Sequence, residues 1–79
     1  MNLFALARKL QRALILQGRP VKINQTQVWI EDTKRMATKY TVKEQKTVKG
    51  KPKDEILMDS YKLAEVVKFL ADMLSGGES

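Results

Sequence analysis

The chain has 79 residues, 43% of them hydrophobic, and its 15 Lys and Arg outnumber 9 Asp and Glu to give a formal net charge of +6. That length admits one domain, 1–79, with a single small core, and the apolar fraction excludes wholesale disorder. With no Cys and no His, a disulfide framework, the commonest zinc ligands, a thiolate nucleophile and the usual general base at neutral pH are all missing.

The acids are scattered and form no paired motif, so neither an enzyme nor a metal or cofactor site is expected. The longest unbroken apolar run, Leu3 to Ala7, is five residues, against roughly 20 for a membrane span. Arg8, Lys9, Gln11 and Arg12 interrupt the place where a signal peptide would be apolar. A cytoplasmic protein with no membrane partner is the expectation.

Asn2 to Gln17 reads as a helix. Leu3, Leu6, Ala7, Leu10, Ala13 and Leu14 recur at spacings of three and four and share one stripe. Asn2 suits the N-cap, Gly18 the left-handed position after the last turn, and Pro20 disfavours helix at Arg19. Phe4 and Ile15 fall off the stripe, and Arg8 and Arg12 lie opposite it.

Val21 to Asn24 and Gln27 to Glu31 read as two short strands across a turn at Gln25-Thr26. That arrangement lets Val21, Ile23, Val28 and Ile30 share the core face and puts Lys22 and Trp29 on the other. After a turn at Asp32-Thr33-Lys34, Met36 to Val48 alternates strictly, which marks a half-buried strand. Met36, Tyr40, Val42 and Val48 take the inner parity, Lys39, Thr41 and Lys43 the outer.

Lys49 to Lys53 reads as a break, because Gly50 and Pro52 end regular pairing. Glu55 to Met58 offers a short returning strand. Ser60 then caps a final helix, Tyr61 to Leu74, with Leu63, Val66, Val67, Leu70, Met73 and Leu74 on its apolar stripe, widened by Phe69, Ala64 and Ala71. Residues 75–79 read as a frayed tail. The whole predicts a two-layer α+β domain: N-terminal helix, antiparallel meander of three or four strands, C-terminal helix, both helices on one sheet face.

Charge is unevenly placed. Residues 33–53 carry eight Lys or Arg and only Glu44, whereas residues 54–79 carry six acids against Lys62 and Lys68. Such polarity suggests a basic surface distinct from an acidic one. The lysines of the central strand and the following loop, Lys39, Lys43, Lys46, Lys49, Lys51 and Lys53, suit a DNA or RNA phosphate backbone, and Trp29 beside them suits a stacked base. Weighed against this, Trp29 is more often a core residue, and lysines at a hairpin tip often serve only to discourage edge aggregation.

Phe4, Ile15 and the wide apolar arc of the last helix suggest a homodimer, because a small domain gains much from shared burial. In length, basicity and lack of catalytic residues the chain resembles the small accessory proteins encoded by phages and other mobile elements, a likeness no motif carries. The expected function is non-enzymatic, non-specific nucleic-acid binding. The alternative is a homodimeric interaction or structural module with no nucleic-acid role.

Overall fold

The computed structural model describes residues 2–76; Met1 and the end of the expected tail, 77–79, lie outside the described residues. Helix α1 (Leu3–Leu16) leads into strands β1 (Val21–Ile30), β2 (Arg35–Val48) and β3 (Lys51–Ser60), and helix α2 (Leu63–Leu74) follows. The sheet is antiparallel in the order β1-β2-β3. Both helices cover one face, as the hydrophobic periods predict.

Helix α1 starts where its cap can satisfy free amides. Asn2 Oδ1 accepts from the Phe4 amide at 2.9 Å and the Ala5 amide at 3.4 Å. It ends where Gly18 adopts φ +90°, and the Gly18 and Arg19 amides turn back to the Ile15 and Leu14 carbonyls. Helix α2 begins two residues later than Ser60 and Tyr61 suggest. Ser60 is the last residue of β3; its hydroxyl accepts from the Lys62 amide at 3.0 Å and donates to Glu65 at 2.6 Å, bracing the first turn from outside the helix.

The core joins four elements at one level of the sheet. Ala7 and Leu14 of α1, Val66, Leu70 and Met73 of α2, Val21 of β1 and Val42 of β2 are all buried. Leu10, Ile23, Tyr40, Leu57, Met58, Leu63, Val67, Phe69 and Leu74 pack around them. The helices press mainly on each other. Of the residues that widen the arc of α2, Phe69 packs against this core, whereas Ala64 and Ala71 are exposed.

Three expectations for the strands are corrected. There is no turn at Gln25-Thr26: β1 runs unbroken, so its side chains alternate from Val21 to Ile30 and Trp29 shares the parity of Val21 and Ile23. Residues Lys49 to Lys53 are not a broad loop. Lys49 (φ +53°) and Gly50 (φ +78°) alone form a two-residue turn, and Val48 pairs with Lys51. Pro52 is accommodated because β3 is an edge strand and Thr47–Pro52 alternates with the bonded pair beside the turn, so the missing amide faces outward.

The third correction concerns reach. The parity of β2 holds, with Val42 fully buried and Tyr40 half-buried, but Met36 is 55% and Val48 47% exposed. Helices of 14 and 12 residues span only about 20 Å, against about 42 Å for β2. Both hairpin ends project beyond the helical layer. The radius of gyration, 13.9 Å, exceeds the roughly 11.6 Å of a compact chain of this length for the same reason.

Between Val42 and Lys43 the partner jumps from Met58 to Ile56, leaving Leu57 as an extra residue. This bulge turns both Leu57 and Met58 toward the core and leaves Ile56 61% exposed on the other face. Leu57→Ala should therefore cost about 2 kcal/mol in urea unfolding and Ile56→Ala less than about 0.5 kcal/mol; equal costs would contradict the bulge.

Candidate nucleic-acid interface

The helix-free face of the sheet is defined by the strand register. Lys22, Asn24, Thr26, Val28 and Ile30 of β1 stand beside Lys43, Thr41, Lys39, Ala37 and Arg35 of β2. Lys39, Thr41, Lys43 and Lys22 thus share the open face, as their parity predicts. Trp29 does not join them. It pairs with Met36 on the helix-bearing face, beyond the helices, where it is 53% exposed and donates from Nε1 to Glu31 at 2.8 Å. The indole is accessible but faces the wrong way to stack beside those lysines.

The remaining lysines lie on the β2–β3 hairpin, where Lys46 pairs with Lys53 and Val48 with Lys51 on the helix-bearing face. Lys49 sits in the turn. The seven expected residues are therefore split three ways: Lys39 and Lys43 on the open face, Lys46, Lys51, Lys53 and Lys49 on a protruding arm, and Trp29 at the far end of the other hairpin.

Acids of β3 answer several of these cations. Lys22 reaches across β2 to Asp54 at 3.3 Å, Lys39 meets Asp59 at 3.5 Å, and Lys46 meets Glu55 at 2.6 Å. The hydrogen bond to Glu55 and its negative charge hold the Lys46 ammonium above the usual lysine pKa. Among the described residues Lys43, Lys49, Lys51 and Lys53 have no acid partner. Sequence reading missed Asp54, Glu55 and Asp59 because it broke the strand at Gly50 to Lys53. The Lys49-Gly50 turn fixes the register that brings them alongside.

The arm is tied to the body at its base. Arg19 Nε and Nη2 donate to the two carboxylate oxygens of Glu44 at 3.2 and 3.1 Å, and the Gln45 amide donates to the Pro20 carbonyl. Farther out, Lys46, Val48, Lys53, Asp54 and Glu55 line a shallow groove of 320 Å³. Its mixed charges and open rim suit an extended chain better than an enclosed small molecule.

Among the described residues no group of acids is placed to hold a metal ion, and no helix is long and apolar enough to cross a membrane. No family model, curated protein or solved structure matches the chain.

Glu44 is the half-buried anchor of the arm, its side chain 13% exposed. Replacing it by Gln breaks the two-pronged pair, so Glu44→Gln should lower stability by about 1 kcal/mol in urea unfolding. Amide exchange should quicken in the arm first, before the helices.

Proposed function

We propose that this protein is a non-enzymatic nucleic-acid-binding accessory protein, cytoplasmic, that grips the phosphate backbone with its β2–β3 arm. The observation that carries this reading is the arm itself. It stands clear of the helices and gathers Lys49, Lys51 and Lys53, none with an acid partner among the described residues. Lys43, on the open face and likewise without an acid partner among the described residues, extends the contact. Lys39 and Lys46 contribute less, because Asp59 and Glu55 already hold them. Such contacts follow backbone shape and charge and carry no sequence information.

The turn adds support. Lys49 takes a left-handed conformation in which Asn or Gly fits better, so a charge stands at the tip at a conformational cost. Replacement by Asn separates a structural role from a binding one. Lys49→Asn should stabilise the fold by about 0.5 kcal/mol while weakening nucleic-acid binding. A gain in stability with unchanged binding would show that the tip lysine has no ligand role.

Fluorescence anisotropy with short single- and double-stranded oligonucleotides tests the whole reading. Binding at low salt should weaken steeply as salt rises, with a log–log slope near −3 to −4 for three or four phosphates on a duplex. Changing Lys49, Lys51 and Lys53 together to Gln should flatten that slope by about 3, whereas Trp29→Phe should leave it unchanged. Absence of binding at micromolar protein, or binding indifferent to salt, refutes the proposal.

A further inference from the structure

The two edges of the sheet differ in how they are guarded. Strand β3 carries Pro52, Lys51 and Lys53 and the bulge at Leu57, all features that discourage a further strand from adding. Strand β1 has none of them. It is ten residues long and regular, and from Ile23 to Ile30 it contains no charge.

The hydrogen bonds of Val21 show which groups of β1 are free. Its amide donates to the Arg19 carbonyl and its carbonyl accepts from Gln11 Nε2 at 3.0 Å, so neither is used by β2. Bonded and non-bonded pairs alternate along an antiparallel ladder. The even residues of β1 therefore exchange bonds with β2, and Ile23, Gln25, Gln27 and Trp29 aim their amides and carbonyls out of the sheet.

Those four positions are symmetric about Thr26. We propose that β1 pairs with β1 of a second copy, antiparallel about a two-fold axis at Thr26, joining two three-stranded sheets into one of six strands. Ile23 of each copy then lies opposite Trp29 of the other, and Gln25 opposite Gln27, so every outward group at these positions meets its complement. On the other face Lys22 falls beside Ile30, Asn24 beside Val28 and Thr26 beside Thr26, with no like charges opposed.

The pairing explains the exposed indole. Trp29 and Ile23 form an aromatic–β-branched cross-strand pair, a favoured contact in antiparallel sheets. Because the axis is perpendicular to the sheet, the two helix-free faces become one face, bearing Lys22, Lys39 and Lys43 from each copy. A single strand pair buries less than the ~1,600 Å² of a standard interface, so the dimer is reversible.

Sedimentation velocity from micromolar to millimolar protein reads the association directly, and Trp29, the single tryptophan, reports the contact. A dimer should form with rising concentration while iodide quenching of Trp29 falls. Residues 25 and 27 are exposed, so charges there leave the fold intact, which circular dichroism checks. The double variant Gln25→Lys with Gln27→Lys sets like charges opposite each other and should weaken association roughly tenfold or more. Gln25→Lys with Gln27→Glu sets opposite charges together and should retain it.

Leu16→Glu, on the outer side of α1, should leave the dimer unchanged. A protein that stays monomeric at millimolar concentration overturns the proposal and leaves the β1 edge to a different chain. So does equal behaviour of the two double variants, or a dimer dissolved by Leu16→Glu alone. None of these measurements involves nucleic acid, so the result stands apart from the binding assay.

Discussion

The molecule is governed by a mismatch of length between a long central strand and two short helices. Only the middle of β2 has helices above it, and Val42 is its one fully buried side chain. There α1 and α2 meet each other and the sheet in a dry core with no buried polar side chain among the described residues. Everything beyond that level depends on the strand ladder and on cross-strand pairs. Segments so held, with few buried apolar contacts, open at lower free energy than a packed core. The two hairpin ends are thus the accessible parts, and they carry Lys49, Lys51 and Lys53 at one end and the indole at the other.

Charge is arranged to make this tolerable. Lys22 and Lys43 stand directly opposite each other, an unfavourable pairing taken alone. Asp54 reaches Lys22 from the far strand, and Asp59 does the same for Lys39. The acids that look segregated in sequence are interleaved in space with the cations of β2. The open face is consequently only mildly basic, and the net positive potential concentrates on the arm and on α1, whose Arg8, Lys9 and Arg12 face no acid on that helix.

What could be read from the residues depended on whether burial left a signature. Asn2, Gly18 and the inner parity of Tyr40 and Val42 were legible because capping chemistry and a half-buried strand each leave a local pattern. Gln25-Thr26 misled because a strand that has passed beyond the helices has water on both faces; its polar residues then imitate a turn. Once that turn was assumed, the parity of Trp29 was inverted. Pro52 misled in a related way, since an edge strand accommodates an imide whose nitrogen looks outward. The bulge at Leu57 has no sequence signal at all: three apolar residues in a row, Ile56 to Met58, fit a plain strand equally well. Of the candidate site, the lysines were visible individually, but their division between two faces needed the register.

The unequal guarding of the two sheet edges has a further consequence. An isologous contact through β1 consumes both open edges at once, and the outer borders of the resulting sheet are two copies of β3, each carrying its proline and its kink. Growth therefore ends with point-group closure and does not run on into a filament. A chain with two bare borders would have had no such stopping rule.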